Sequence, residues 1–168
     1  LAPISNAATK VPGARKVMEA VAGIAPDREL PTFRSESFEE WFASRGGSTV
    51  SPDEAVDTVA LFPDTYTNYS YPAAGKAAVA VLEAAGVRVE VPDDLTPSGR
   101  AAFSTGFLDE ARERAATNVE RLAPRVRDGQ SVVFVEPSDA VMFQDEYRDL
   151  LDGDDVEAVS AAAYGVLE

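Results

Sequence analysis

The sequence contains no cysteine and no histidine. Without cysteine, the 168-residue chain has no disulfide, no thiolate nucleophile and no thiolate ligand for zinc or an iron–sulfur cluster. Without histidine, it also lacks imidazole bases and imidazole metal ligands. Any chemistry carried out by these residues must therefore use carboxylates, hydroxyls, arginine, lysine or backbone groups.

Positive charge is scarce, and lysine especially so. Fifteen Lys and Arg residues stand against 29 Asp and Glu residues, which gives a net charge of −14. Such a surface repels phosphate backbones and anionic membranes, so nucleic acid binding is not expected. Only Lys10, Lys16 and Lys76 are lysines. A lysine-poor, acidic surface is typical of proteins adapted to high salt, and the alternative is an ordinary acidic cytoplasmic protein.

Long apolar runs are missing as well, so we expect no membrane-inserted segment. The chain begins at Leu1 and shows no charged stretch followed by an apolar one, which predicts a fragment or a processed piece without a signal peptide. A hydrophobic content of 45% is sufficient for the core of one compact domain.

Residues 1–50 are predicted to form a helical arm or linker. Apolar residues at helical spacing predict a short helix over 14–24, and a second helix is expected to start at Ser35 or Ser37 and to end before two glycines. We interpret the aromatic residues of this second helix as core or inter-domain contacts rather than as a ligand site. They are Phe38, Trp41 and Phe42.

Residues 51–168 are predicted to form an α/β domain. Short apolar runs predict strands at 56–62, 87–91 and 131–135. Helices are predicted over 72–86, 106–122, 138–151 and from Asp154 or Asp155 to the end, with loops over 63–71 and 92–105. Strands joined through helices form parallel sheets, and apolar strands are covered on both faces. The predicted fold is therefore a Rossmann-like three-layer domain with a parallel sheet.

Three predicted loops leave the carboxyl ends of the strands, where open α/β sheets bind ligands. One interpretation is a polar pocket for a small ligand or a hard metal ion, in which Arg100, the only cation in the loops, pairs with Glu136 or Asp139. The other is that Ser138 caps a helix, Asp139 lies near its N-terminus and Asp64 caps or turns a loop. No nucleophile–base pair is visible, which argues against a hydrolase. The candidate pocket residues are Asp64, Asn68, Arg100, Glu136 and Ser138, together with Ser98 and Asp139.

The same loops resemble the cysteine-rich (CCG-type) iron–sulfur domain of FAD-linked oxidases. This family includes the iron–sulfur subunits of glycolate oxidase and anaerobic glycerol-3-phosphate dehydrogenase, D-lactate dehydrogenases of that type, and heterodisulfide reductase. The resemblance is strongest over residues 58–151 and is carried by the segments 61–69 (LFPDTYTNY), 98–100 (SGR), 105–111 (TGFLDEA) and 135–138 (VEPS).

The resemblance implies a cluster held by cysteines, which receives electrons from a flavin in a separate domain. Here Ser98-Gly99-Arg100 stands where the family has Cys-Cys-Gly, with Pro97-Ser98 in place of the adjacent cysteine pair. Asp139 replaces a later cysteine, and Thr65 stands where some relatives have one. Because iron–sulfur clusters need thiolate ligands, the resemblance implies a vacated cluster site at Thr65, Pro97, Ser98, Gly99 and Asp139.

We therefore expect the first cysteine-rich repeat of a FAD-linked iron–sulfur oxidoreductase of the 2-hydroxy-acid type. The resemblance implies a FAD domain, a ferredoxin-like module, [4Fe–4S] clusters and a second repeat in the parent protein, which would lie in the cytoplasm or against the inner face of the membrane. This repeat itself is expected to hold no cofactor and to have a structural or docking role. The alternative is a small-molecule or metal-binding domain that uses the vacated pocket.

Overall fold

The structure is a computed structural model that describes residues 13–25, 27–28 and 31–168. Residues 1–12 of the predicted arm lie outside the described residues. In chain order, the elements are α1 (Ala14–Ala22), α2 (Phe38–Ser44), β1 (Asp57–Leu61), α3 (Thr65–Tyr69), α4 (Pro72–Ala84), β2 (Val87–Glu90), α5 (Arg100–Ser104), α6 (Leu108–Arg127), β3 (Ser131–Phe134), α7 (Pro137–Val141), a π-helical turn (Met142–Glu146), α8 (Tyr147–Leu150), α9 (Asp154–Ala161) and β4 (Ala163–Gly165).

The strands form one sheet in the order β2-β1-β3-β4, and every pair is parallel. Val59 of β1 is paired with Val89 of β2 on one side and with Ser131 of β3 on the other. Helices lie against both faces of the sheet, which confirms the predicted Rossmann-like α/β fold. The three predicted strands are present, and β4 is an addition to them.

The sheet separates two apolar clusters because successive side chains of a strand point to opposite faces. Val59 and Leu61 face a cluster with α2 and α4, whereas Ala60 and Phe62 face a larger cluster with α5, α6, the π-helical turn, α8 and α9. In the larger cluster, the ring of Phe143 packs against the rings of Phe62 and Tyr147 at centroid distances of 5.2 and 4.1 Å. Both faces of the sheet are therefore covered, as the apolar strands predict.

Helix α2 begins with a capping box: the Ser37 side chain accepts from the backbone N–H of Glu40, whose side chain accepts from the Ser37 N–H. Phe38 and Phe42 of this helix are buried against the sheet, which confirms that the aromatic residues form core. The division of the chain into an arm over 1–50 and a repeat over 51–168 stays a prediction.

Four details of the predicted elements are wrong. The predicted loops contain α3 and α5, helices of five residues each, which are too short to give a periodic pattern. Helix α6 continues past residue 122 to Arg127. The segment 138–151 is interrupted by a π-helical turn. The last helix ends at Ala161, and the next residues form β4 because Ala163 is buried beside β3.

Among the described residues, no helix combines the length and the apolar character that crossing a bilayer requires.

Candidate functional site

The strand order places a topological switch point between β1 and β3. From β1 the chain crosses to β2 on one side, and from β2 it crosses back to β3 on the other. Ligands of open α/β sheets bind beyond the carboxyl ends of the strands at such a point. Here a cavity of about 510 Å³ is lined by Thr65, Tyr66, Pro97, Ser98, Gly99, Arg100, Ala101, Ala102, Ser104, Glu110, Arg114, Glu136, Ser138 and Asp139.

This cavity, called the switch-point cavity below, brings the three predicted loops together. Of the residues named from the sequence, Asp64 and Asn68 are not among those that line it. Asn68 is instead directed to α2, where its side-chain oxygen accepts from the Glu39 N–H at 3.1 Å and its amide donates to the Glu39 carboxylate. The interpretation of the lining as a vacated cluster site stays a prediction.

Ser98 and Asp139, which are 41 residues apart in sequence, are in direct contact. The Ser98 hydroxyl donates to Oδ1 of Asp139. Burial raises the pKa of Asp139 to about 6. The negative charges of Asp64 and Glu136 add to this shift, and the hydrogen bond from Ser98 and the positive charge of Arg100 oppose it. This hydrogen bond joins the loop after β2 to helix α7, which follows β3.

Asp64 caps helix α3, as the second interpretation of the sequence predicts. Its Oδ1 accepts from the Thr67 N–H at 2.8 Å. The side chain is 2% exposed, and Oδ2 is buried without a hydrogen-bond partner among the described residues. Burial therefore raises the pKa of Asp64, although the hydrogen bonds from Thr67 oppose the shift.

The predicted partner of Arg100 is wrong. Its Nη1 lies 2.5 Å from Oε1 of Glu146, because Arg100 is the first residue of α5 and the π-helical turn presents Glu146 to it.

The prediction that Ser138 caps the helix after β3 is also wrong. Pro137 occupies the first turn of α7, and Glu136 is the N-cap, with Oε1 accepting from the Ser138 N–H at 3.2 Å and from the Ser138 hydroxyl at 2.9 Å.

A buried polar network supports the loop that carries Ser98. The Tyr147 hydroxyl donates to the Ser98 carbonyl at 2.9 Å, and the Asn118 amide donates to the Tyr147 hydroxyl at 3.0 Å. The Asn118 side-chain oxygen in turn accepts from the Thr96 N–H at 2.9 Å. Both Asn118 and Tyr147 are fully buried. The network fixes residues 96–98 to α6 and α8.

The curated relatives of this chain are found among bacterial redox proteins. It is 31% identical over 154 residues to the C subunit of the anaerobic glycerol-3-phosphate dehydrogenase of Escherichia coli strain K12, an alignment that covers 91% of the chain and 38% of the relative. It is also 32% identical over 96 residues to lactate utilization protein A of Shouchella clausii and of Geobacillus kaustophilus, with 57% of the chain and 38% of each relative covered.

These proteins are homologues of the chain. The chain spans 38% of the length of the relatives it matches. No family model matches the chain, and no solved structure matches it with significance. Because the longer alignment covers 91% of the chain, it includes the three loops of the switch-point cavity. The homology is consistent with the cysteine-rich iron–sulfur domain family that the loops resemble.

The cavity also has lining residues that the sequence pattern did not predict. Tyr66, the α5 residues 101, 102 and 104, and the α6 residues Glu110 and Arg114 all line it. The Arg114 Nη2 lies 2.7 Å from Oε1 of Glu110, and the spacing of four residues on one helix is a signal for such a pair. No group of three or more acidic side chains placed to hold a metal ion occurs in the part of the chain that the structure describes.

Proposed function

We propose that the chain is a cysteine-rich-type repeat of a FAD-linked iron–sulfur oxidoreductase of the 2-hydroxy-acid type, in which this repeat holds no cluster and has a structural or docking role. The homology to a component of a dehydrogenase and to a lactate utilization protein supports an origin in this group of redox proteins. The parent would pass electrons from its substrate through flavin and through clusters held elsewhere.

The contact between Ser98 and Asp139 carries this proposal. Both residues stand where the resemblance places cysteines, and cysteines that hold one cluster must lie close together. The two side chains are hydrogen bonded to each other, and Thr65 and Pro97, the other two replaced positions, line the same cavity. Four positions scattered over 75 residues of sequence are thus gathered at the switch point of the sheet.

The residues that replace the cysteines give this repeat a different role from the electron transfer that the family resemblance implies. Hydroxyl and carboxylate oxygens are hard ligands, whereas iron–sulfur clusters are held by soft thiolates. A repeat with Thr65, Pro97, Ser98 and Asp139 at these positions therefore does not conduct electrons itself. Its contribution is to pack against the FAD domain, the ferredoxin-like module and the second repeat of the parent.

Restoring the cysteines tests the assignment of the site. A variant with Thr65→Cys, Pro97→Cys, Ser98→Cys and Asp139→Cys should take up iron and acid-labile sulfide under anaerobic reconstitution and show visible charge-transfer absorption. The matched control carries four cysteines at exposed alanines, with Ala73→Cys, Ala80→Cys, Ala116→Cys and Ala161→Cys. A folded restored variant that binds no more iron and sulfide than this control would contradict the assignment, and so would a cluster in the unaltered chain.

The parent reading frame and a binding assay test the docking role. We expect a flavin domain and cysteine motifs before this repeat and a second repeat after it. Sedimentation of the chain with the separately purified FAD domain should show a complex. A reading frame without these modules, or the absence of any complex with them, would overturn the role.

A second candidate function is favoured by the cavity volume. At about 510 Å³, the switch-point cavity lies within the range of roughly 300–1,000 Å³ that small-molecule sites occupy. The vacated pocket therefore has room for a ligand in place of a cluster.

A further inference from the structure

We infer that Asp152 is a site of spontaneous modification, at which the aspartate converts to isoaspartate through a cyclic succinimide. This inference goes beyond the docking role and does not depend on it. It rests on a contrast between two Asp-Gly pairs of the same chain, Asp152-Gly153 and Asp128-Gly129. The two pairs have the same chemistry but different backbone surroundings, so the fold decides which of them reacts.

The reaction joins the side chain of the aspartate to the backbone nitrogen of the glycine, which has no Cβ to hinder the attack. The nitrogen of Gly153 bonds to Cγ of the protonated Asp152 carboxyl group, and the N–H proton leaves with the carboxyl hydroxyl as one water. Water then opens the ring. Where it breaks the bond between the nitrogen and the backbone carbonyl carbon, the chain continues through Cγ and the backbone carboxylate is free. One water is lost and one is regained, so the composition is unchanged.

Asp152 and Gly153 form a short exposed link between two helices. Helix α8 ends at Leu150 and α9 begins at Asp154, and both residues of the link are exposed. Within the described residues, the Gly153 N–H donates no hydrogen bond, and the Asp152 carboxylate takes part in no hydrogen bond or ion pair. The nitrogen and the carboxyl group are therefore free to reach the geometry of the ring.

The pair at 128–129 is held by the hydrogen bonds that close α6. Asp128 is the C-cap of this helix, and the Gly129 N–H, whose nitrogen would have to attack, donates to the Val126 carbonyl at 2.9 Å. The next N–H, that of Gln130, donates to the Arg125 carbonyl at 3.0 Å. Asp128 and Gly129 are exposed as well, so access of water does not separate the two pairs. The reaction at Asp128 instead requires this end of α6 to open first.

The modification changes the main chain directly before α9. An isoaspartyl link adds one methylene group to the backbone, whereas Val156 and Val159 of α9 are buried in the larger cluster. An ion pair between Nε of Arg148 in α8 and Oε2 of Glu157 in α9, at 3.1 Å, spans the link. A longer link therefore alters the position of α9 relative to α8 and acts on packing as well as on the surface.

Ageing of the whole chain followed by trypsin digestion tests the inference, because cleavage after Arg127 and Arg148 separates the two pairs into the peptides 128–148 and 149–168. The folded chain is incubated under mildly acidic conditions, and isoaspartate is located by electron-transfer fragmentation. It should accumulate at Asp152 at least about tenfold faster than at Asp128, where hydrogen bonds must open first. In urea that unfolds the chain, the two rates should agree within about twofold, because this protection is lost.

Equal rates at the two sites of the folded chain, or a faster rate at Asp128, would overturn the inference. Isoaspartate that forms at Asp152 in urea but not in the folded chain would overturn it as well.

Matched variants locate the reaction on the whole chain. An isoaspartate-specific carboxyl methyltransferase transfers a methyl group to the free backbone carboxylate and so measures the modification. Asp152→Glu, which keeps the charge but would need a larger ring, should remove most of the methyl uptake of the aged folded chain. Asp128→Glu makes the same change at the protected pair and should leave the uptake within about twofold. Equal uptake by Asp152→Glu and by the unaltered chain would overturn the site. Failure in these assays leaves the reconstitution and docking tests unaffected.

Discussion

Among the residues that line the switch-point cavity, Asp139 has a pKa that its surroundings raise clearly. It is partly buried, receives a hydrogen bond from Ser98, and is affected by the negative charges of Asp64 and Glu136 and by the positive charge of Arg100. Burial and the neighbouring carboxylates therefore make the ionised form of Asp139 less favourable in the folded protein than in water. The position therefore costs folding stability whenever Asp139 is ionised.

Removing that charge should stabilise the protein above pH 6. The folded pKa of Asp139, about 6, lies above its ordinary value, so the folded state binds the proton more tightly than the unfolded state. The cost of ionisation is fully present above pH 6 and disappears as the pH falls below about 4. Asp139→Asn, which can still accept from Ser98, should raise the free energy of unfolding by about 1–2 kcal/mol at pH 8, after allowance for partial exposure.

Urea denaturation at pH 8 and at pH 4 checks this expectation. The gain at pH 8 should be absent at pH 4, where the unaltered Asp139 is protonated. Asp152→Asn, at an exposed position, should show no comparable gain at either pH. A destabilised Asp139→Asn variant at pH 8 would contradict the electrostatic account.

The hydroxyl of Tyr147 donates a hydrogen bond to the backbone of Ser98, in the loop that follows β2. Tyr147→Phe leaves the Ser98 carbonyl without its donor and the Asn118 amide without its acceptor, both in a buried environment. Unsatisfied buried polar groups cost about 1–3 kcal/mol, and we expect a loss of that size in thermal or urea unfolding. Tyr164→Phe, at a tyrosine that is 44% exposed, is the control and should have little effect. Equal stability of Tyr147→Phe would show that the network is not a determinant of the fold.

At the scale of elements, the contact between α2 and α4 depends on a glycine. A Cβ atom at Gly75 would lie 2.6 Å from Cγ2 of Thr67 and 2.7 Å from Cδ2 of Phe38. The close approach lets α2 and α3 pack directly on the backbone of α4. The glycine therefore belongs to the core even though a helix interior normally favours alanine.

Gly75→Ala should destabilise the protein despite its higher helix propensity. The added methyl group overpacks a fully buried contact, which costs about 1–3 kcal/mol, and the propensity gain of about 1 kcal/mol offsets only part of this. The expected net loss is therefore up to about 2 kcal/mol in chemical denaturation. Ala80→Gly, at an exposed position of the same helix, measures the propensity term alone. A stabilised Gly75→Ala variant would mean that α2 can move away at no cost.

Helices and strands were predictable from the sequence where their apolar residues recur at regular spacing over several residues. The strands β1 to β3 and the long helices α4 and α6 have apolar residues at regular spacing, and each was predicted, although α6 extends five residues past its predicted end. Helices α3 and α5 have one turn or little more, so they have no period to detect. Strand β4 follows alanines that fit a helix, and only its pairing with β3 decides its conformation.

For the site, the sequence could name the loops but not the partners of the charged residues. The position of a loop follows from strand order, which the alternation of strands and helices predicts. The partner of Arg100 depends instead on the phase of a helix 46 residues away, which the π-helical turn alters. The spacing of α6 places Asn118 beside its apolar positions. Its hydrogen bond with Tyr147 joins two distant segments, however, so the spacing cannot predict it.

At the scale of the whole molecule, the acidic surface should make stability depend on salt. With 29 acidic and 15 basic residues, repulsion between carboxylates exceeds the attraction in surface ion pairs, which are worth about 0–1 kcal/mol each. Salt shortens the Debye length from ~10 Å at 0.1 M to ~3 Å at 1 M. The melting temperature should therefore rise with KCl, by about 2–4 °C for each kcal/mol of repulsion relieved.

A scan from 0.05 to 2 M KCl checks this, with Asp53→Asn plus Glu120→Gln as a less charged comparison that should show a smaller rise. A melting temperature that is flat or falls with KCl would contradict the account. Adaptation of the chain to high salt stays a prediction until that dependence is measured.

The π-helical turn at Met142–Glu146 has a consequence for how this site tolerates insertions and deletions. Asp139 precedes the turn and binds the Ser98 side chain, whereas Tyr147 follows it and binds the Ser98 carbonyl. Each residue of an α-helix advances the chain by about 100° around the axis. A π-helical turn takes up about one residue more than an α-helical turn, so deleting one of its residues would give a regular helix and leave Tyr147 at almost the same angle relative to Asp139. Both hydrogen bonds to Ser98 could therefore still form after such a deletion, whereas deleting one more residue would rotate Tyr147 by about 100° and separate them.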